Sequence, residues 1–170
     1  MSASRPALPE PGITLRPAGA LDAGATGWIL YRFAQDTPWM PKLYSEAETI
    51  SFCGVMISRG WVTVAEQEGQ VVGFIARDGA EICSLYLAPG RCGQGVGKAL
   101  LQQAQAAQPQ LWLQAFVANR GARRFYQREG FYETQRSDGA DNEEGLPDVR
   151  LAWSPQGKGA GQHPAQEEQG

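Results

Sequence analysis

Three glycines at alternate positions, Gly93, Gly95 and Gly97, follow a Pro89-Gly90 turn in the run LAPGRCGQGVGKALL, from Leu87 to Leu101. A strand-like apolar segment, Ile82 to Leu87, leads into the turn, and an apolar-periodic, helix-like segment leads out of the glycines. Alternate glycines just ahead of a helix leave several backbone N–H groups unobstructed and aimed at one point. With the positive end of the helix dipole behind them, such groups suit phosphate oxygens. The first chemistry these residues suggest is therefore the grip of a phosphate-bearing ligand.

Other site chemistries have little to draw on. The single histidine, His163, lies in the tail GKGAGQHPAQEEQG, whose polar, Gly/Pro/Gln-rich composition predicts disorder. Serine–histidine and cysteine–histidine catalysis thus lack a histidine in the expected folded core. Cys53, Cys83 and Cys92 are an odd number at unpatterned spacing. They suit a reducing, cytoplasmic setting better than a disulfide framework, and no metal site is expected from them. Acid–base chemistry is left to carboxylates, tyrosines, water or backbone.

Residue identities separate the phosphate loops. A Walker loop needs G-x-x-x-x-G-K-[ST]; with Gly97-Lys98 as its G-K, Cys92 replaces the first glycine and Ala99 the Ser/Thr. A dinucleotide loop needs G-x-G-x-x-G and an acidic residue on the next strand. Counted from Gly93, its third glycine is Lys98, and the next strand, Leu111 to Val117, has no carboxylate. The segment Cys92-Gly93-Gln94-Gly95-Val96-Gly97 instead resembles the acyl-CoA signature [QR]-x-x-G-x-[GA] of the GNAT N-acetyltransferase superfamily. Cys92 departs from it, standing where Gln or Arg is usual, with Arg91 one position early. A second block, LWLQAFVANRGARRFYQREGF from Leu111 to Phe131, supplies Asn119, Ala122, Phe125-Tyr126 and Gly130-Phe131 at matching spacing.

The resemblance spans roughly residues 13 to 153 and implies one domain, an α/β fold with a mixed, mostly antiparallel sheet of six to seven strands and about four helices. Strand and helix signals agree. Strands are expected near 13–16, 61–66, 71–77, 81–87, 111–117, 131–136 and 148–153, and helices near 22–34, 45–58, 95–107 and 119–129. Ser45 and Glu48 form a capping-box pair, and Glu68-Gly69 and Asp78-Gly79 read as hairpin turns. Val96, Ala99, Leu100 and Ala104 are the expected buried face of the third helix, and Pro109 stops its continuation. Asn119 is a good N-cap and Gly130 a good helix end.

The resemblance also implies roles. Leu85, Tyr86 and Leu87 would pair through their backbone with the pantetheine arm of acetyl-CoA, the Leu87 N–H polarising the thioester carbonyl. Cys92, Gly93, Gln94, Gly95, Val96, Gly97 and Lys98 would hold the diphosphate. Asn119 would contact the cofactor or simply cap its helix. Tyr126 matches the family's general acid for the CoA sulfur; as a residue alone it reads as a core tyrosine on an amphipathic helix. Glu81, six residues before Leu87, matches the catalytic glutamate of the histone-acetylating branch. Gln114 stands where the ribosomal-protein-acetylating branch has a glutamate, and it cannot take a proton.

An amine acceptor would meet the loop from Asp36 to Leu43, with Trp39 and Met40 as an apolar wall, and the segment DGADNEEGLPD, with Glu143 and Glu144. That segment reads either as a solvated hairpin loop or as a field that concentrates a cationic amine. The alternative to an N-acetyltransferase is a non-catalytic acyl-CoA sensor on the same fold.

Composition sets outer bounds. A chain of 170 residues, 42% hydrophobic, can bury one sizeable core. It has no apolar run of about 18 residues that would span a membrane. The start, MSASRPALPEPG, lacks the apolar core of a secretory signal. A net charge of −3 weighs against nucleic acid as the main partner. Apolar strand edges in this architecture are compatible with a homodimer.

Overall fold

The computed structural model describes residues 12–158; the N-terminus expected to be flexible, residues 1–12, lies outside them up to residue 11, and the tail expected to be disordered, residues 154–170, lies outside them from residue 159, His163 included. Eleven regular elements follow in order: β1 (Ile13–Pro17), α1 (Ala23–Asp36), α2 (Glu46–Ser58), β2 (Val62–Gln67), β3 (Gln70–Asp78), β4 (Glu81–Leu87), α3 (Val96–Ala107), β5 (Leu111–Phe116), α4 (Arg120–Arg128), β6 (Tyr132–Ser137) and β7 (Asp148–Trp153), with a 3-10 turn at Ala20–Asp22. The strands form one seven-stranded sheet in the order β1-β2-β3-β4-β5-β7-β6. β1–β2, β2–β3, β5–β7 and β6–β7 are antiparallel, and β4–β5 is parallel. This is the expected α/β fold with a mixed, mostly antiparallel sheet. Two compact units divide the chain, Met1–Arg77 with Ser84–Gln103 and Asp78–Cys83 with Ala104–Gly170.

In the first unit, Asp22 anchors the entry to α1. Its carboxylate accepts from Arg16 at 2.8 and 3.0 Å and from the Gly19 N–H at 2.7 Å. The helix runs to Asp36, two residues past its expected end, because its last carbonyls are satisfied. The Thr37 hydroxyl donates to Phe33 C=O at 2.6 Å, and Lys42 Nζ donates to the carbonyls of Ala34 and Thr37. α2 opens with the expected capping box, Glu48 N–H to Ser45 Oγ at 3.1 Å and Ser45 N–H to Glu48 Oε1 at 2.9 Å. The core gathers Ile29 from α1, Cys53, Met56 and Ile57 from α2, and Val62, Val64, Phe74 and Ala76 from β2 and β3.

The buried apolar side chains of α3 are those of Val96, Leu100, Leu101 and Ala104. Ala99, expected among them, is half-buried on the flank, and Leu101 takes the place. An i, i+4, i+5, i+8 stripe is as consistent with a 3.6-residue period as the expected one, and the larger side chain wins the interior.

In the second unit, β5, β7 and β6 pair antiparallel, β6 shifting register between Glu133 and Gln135, with Gln114 opposite Arg150 and Arg150 opposite Gln135. Alternation sends Leu111, Leu113, Val149 and Leu151 to the buried face. The other face carries Trp112, Gln114, Arg150 and Gln135. Among the described residues, no helix is long and apolar enough to cross a membrane.

Candidate active site

The glycine loop belongs to the first unit and is built on the end of β4. The Ala88 N–H donates to Val72 C=O at 2.8 Å, holding the strand end against β3. The Arg91 N–H returns to Ala88 C=O at 3.1 Å, closing a turn with Pro89 at its second position and Gly90, at φ 81°, at its third. Gly93 and Gly95 have φ of 81° and 86°, a backbone that costs an L side chain energy. Nothing lies within 4 Å of where a Gly93 Cβ would stand, so glycine serves the backbone shape there rather than a tight fit. The first intrahelical bond of α3 is Ala99 N–H to Gly95 C=O, 3.0 Å. The N–H groups of Val96, Gly97 and Lys98 precede it and have no intrahelical acceptor. Open glycine backbone, helix N–H groups without an intrahelical acceptor and the helix dipole together fit a diphosphate.

Arg91 is fastened sideways, its guanidinium donating to Gln67 Oε1 at 2.8 Å, and the Gln94 amide donates to Gly90 C=O at 3.2 Å. Gly73 lets the strand end and the helix start come close. A Cβ there would stand 2.7 Å from Leu87 Cδ2, 3.1 Å from Val96 Cγ1 and 3.2 Å from the Tyr86 carbonyl oxygen. Tyr86 packs its ring 4.9 Å from Phe33 and 6.1 Å from Phe74, while Phe33 meets Trp39 edge-on at 6.4 Å. Trp39 thus continues an aromatic row out of the core, with Met40 beside it, its N–H donating to Thr37 C=O at 3.1 Å.

In the second unit, Asn119 caps α4, its side-chain oxygen accepting from the Ala122 N–H at 3.1 Å. Tyr126, 7% exposed, lies on that helix with its ring 5.2 Å from both Phe125 and Phe131. Gly130, at φ 97°, ends the helix as expected. Glu81 opens β4 half-buried, opposite Trp112 of β5.

A cavity of about 300 Å³ opens on the β5–β7–β6 face, lined by Gln114, Gln135, Arg136, Ser137, Asp141, Asn142, Asp148 and Arg150. Asn142 organises its rim. It donates to Leu146 C=O at 2.8 Å and to Asp148 Oδ2 at 3.2 Å, and accepts from the Leu146 N–H at 3.2 Å. The Ser137 hydroxyl donates to the other Asp148 oxygen at 2.6 Å. Gly139, at φ 88°, has no room for a side chain, since a Cβ would lie 2.3 Å from the Leu146 carbonyl oxygen. The acidic segment is therefore a built loop. Asp141 and Asp148 line the cavity, and Glu143 and Glu144, the carboxylates expected there, do not.

Glu133 sits between Arg123, at 2.8 Å, and Arg136, at 3.0 Å. Arg123 foremost, then Arg136, hold its carboxyl below the usual range. Sequence reasoning passed over Arg150, whose guanidinium lies over Trp112 at 3.8 Å from the ring centroid. Alternation along 148–153 puts it on the polar face of β7, but which residues it faces follows from strand register alone. Arg120, Arg124 and Arg128 form an exposed stripe.

Residues 58–133 match the family described as "Acetyltransferase (GNAT) domain". Over 76 residues the chain is 34% identical to the peptidyl-lysine N-acetyltransferase YiaC of Escherichia coli K12, covering 44% of this chain and 51% of YiaC. Over 93 residues it is 34% identical to the peptidyl-lysine N-acetyltransferase YjaB of the same strain, covering 55% of this chain and 63% of YjaB. The matched stretches thus span between half and two thirds of these curated relatives. The solution structure of apo-form YjaB from Escherichia coli aligns with a TM-score of 0.70 at 26% identity, over 83% of this chain and 97% of YjaB. The structure of yncA from Salmonella typhimurium with its cofactor acetyl-CoA aligns with a TM-score of 0.66 at 19% identity, over 84% of this chain and 93% of yncA, a likeness of fold.

Proposed function

We propose, from the match of residues 58–133 to the acetyltransferase (GNAT) family and the likeness of fold to apo-form YjaB, that the chain is a GNAT acetyltransferase and transfers an acetyl group from acetyl-CoA to a primary amine by direct attack in a ternary complex. One observation carries the reading. The glycine loop presents Gly93 and Gly95 in left-handed conformation, immediately before three helix N–H groups with no intrahelical acceptor.

When bound, acetyl-CoA supplies an activated acyl thioester. The chain's own residues then have three tasks. The loop from Cys92 to Lys98 holds the diphosphate, and the backbone of Leu85 to Leu87 lines up the pantetheine arm, with the Leu87 N–H directed at the carbonyl oxygen. The Tyr126 hydroxyl donates a proton to the departing sulfur; its ordinary pKa near 10 stands above the thiol's near 8.5, so proton transfer needs a position held within hydrogen-bond reach. Finally, the amine must be neutral to attack. Removing a proton from a lysine-like ammonium at pH 7 costs about 4 to 5 kcal/mol, and Glu81, acting through water, is the base we assign.

The named relatives are peptidyl-lysine N-acetyltransferases, and we extend a lysine-like amine to this chain. The carboxylates Asp141 and Asp148 at the cavity support a cationic acceptor.

Two measurements test the reading. Calorimetric titration with coenzyme A should give saturable binding, and exposed Cys92 should become protected from iodoacetamide as the loop fills. Thiol release from acetyl-CoA across a panel of primary amines should then report turnover. Binding without release for any amine would leave an acyl-CoA sensor; no binding would remove both readings.

A further inference from the structure

The polar cavity of the second unit is lined by a cation, Arg150. Arg150 sits mid-strand in β7, with Gln114 of β5 and Gln135 of β6 as its register partners on either side. All three line the cavity. Two other charged groups there are engaged, and Asp141 is a further carboxylate of the lining. Arg136 is held by Glu133 at 3.0 Å, and the Asp148 oxygens accept from Ser137 and Asn142. Among the described residues Arg150 enters no ion pair; its guanidinium lies over the Trp112 ring, 3.8 Å from the centroid.

An arginine over an indole face keeps its N–H edge for a planar acceptor, and a carboxylate fits that fork with two parallel hydrogen bonds. Each flanking glutamine has an NH₂ group that can turn to the same acceptor. The cavity floor is thus a cross-strand row of donors, and its wall carries Asp141 and Asp148. A volume of about 300 Å³ matches the small end of ligand sites and has room for an amino-acid-sized group.

We propose that Arg150, flanked by Gln114 and Gln135, binds a carboxylate carried by the acceptor, so that the preferred acceptor joins an ammonium and a carboxylate in one small unit. That the ligand is the acceptor rests on the acetyltransfer reading above; that the subsite takes a carboxylate does not. Gln114 then has a role as a neutral hydrogen-bonding group, which a glutamate would spoil by repelling the ligand.

The carboxylate can belong to a free amino acid or to an acidic residue beside a lysine in a peptide. Both sources are tested on the full chain without acetyl-CoA, by the ¹⁵N–¹H indole resonance of Trp112, assigned with Trp112→Phe. The ligands are lysine against lysine amide, and capped lysyl-aspartate against capped lysyl-asparagine. The carboxylate member of at least one pair should bind 10-fold or more tightly than its amide, although the amide carries more positive charge towards the acidic wall. A preference in the first pair identifies a free amino acid, and one in the second a peptide.

Arg150→Gln should remove the preference, and Arg150→Lys, which keeps the charge but not the fork, should retain part of it; circular dichroism checks that both variants fold. Equal binding within both pairs, no binding of any of the four, or a preference that survives Arg150→Gln would overturn the proposal. Thiol release with the same four amines separates the two readings. A carboxylate preference without turnover sinks acetyl transfer and leaves the subsite, whereas turnover indifferent to the carboxylate does the reverse.

Discussion

At the scale of single residues, Tyr126 and Cys53 are both buried aromatic or sulfur groups of the interior, yet they differ in what their burial serves. Burial pushes the Cys53 thiol up, and the side chain has no exposed surface, which makes it inert packing in the α1–α2 core. Tyr126 is also nearly closed off, but it carries a hydroxyl whose proton the proposed reaction consumes. Tyr126→Phe should keep the ring's contacts with Phe125 and Phe131, and coenzyme A affinity should hold. The value of kcat should fall by about 10²-fold or more, the usual weight of a positioned general acid. Steady-state kinetics beside calorimetry checks both halves, and unchanged kcat would remove Tyr126 from the chemistry. Glu81→Gln should change the pH–rate profile of kcat/KM if Glu81 is the base; an unaltered profile would discard it.

Two elements owe their geometry to one residue each. α1 and α2 touch at Gly27, where a Cβ would stand 2.5 Å from the Ile50 Cα. Backbone cannot yield as a side-chain tip can, so Gly27→Ala must push the helices apart. We expect a loss of about 1 to 3 kcal/mol or more in denaturant unfolding, and a stability equal to wild type would show that the helices are not this close. α4 depends on Asn119, which caps its N-terminus. Asn119→Ala should cost about 1 kcal/mol, whereas Asn119→Asp should keep the cap. If the Asn119 amide also touches the cofactor, Asn119→Asp weakens coenzyme A binding at unchanged melting temperature. Equal binding would confine Asn119 to capping.

For the molecule as a whole, two depressed carboxyls link stability to pH. Arg16, by hydrogen bonding, lowers Asp22, and the Gly19 N–H adds to the effect; Arg123 and then Arg136 lower Glu133. A carboxyl whose folded pKa lies below its unfolded value contributes its full stabilisation above the unfolded value, about 4. That contribution is lost as pH falls through the folded pKa. The melting temperature of wild type should therefore exceed that of Asp22→Asn by a margin that is constant from pH 7 to 5 and closes below about pH 4. A margin independent of pH would assign the ion pair no such linkage. If the acidic loop concentrates a cationic amine, it does so over a longer range. Raising salt from 0.05 to 0.5 M shortens the Debye length to a few ångströms, roughly, and should raise KM for a cationic acceptor; a flat KM would make the loop a scaffold only.

Local rules made much of this protein legible from its residues in order. Alternate glycines before an apolar helix, Ser45 with Glu48, Asn119 ahead of α4 and Gly130 behind it each act within a few positions of chain, so their outcome follows from neighbours in sequence. Strand alternation likewise says that Arg150 shares a face with Asp148. What it faces across the sheet is another matter. Gln114, Trp112, Gln135 and Arg150 meet through the register of three strands, and Asp141 and Asp148, rather than Glu143 and Glu144, line the cavity because Asn142 bonds to Leu146 and Asp148 and so shapes the loop. Those placements depend on hydrogen bonds between segments distant along the chain or folded back within a loop, and only the tertiary structure decides them.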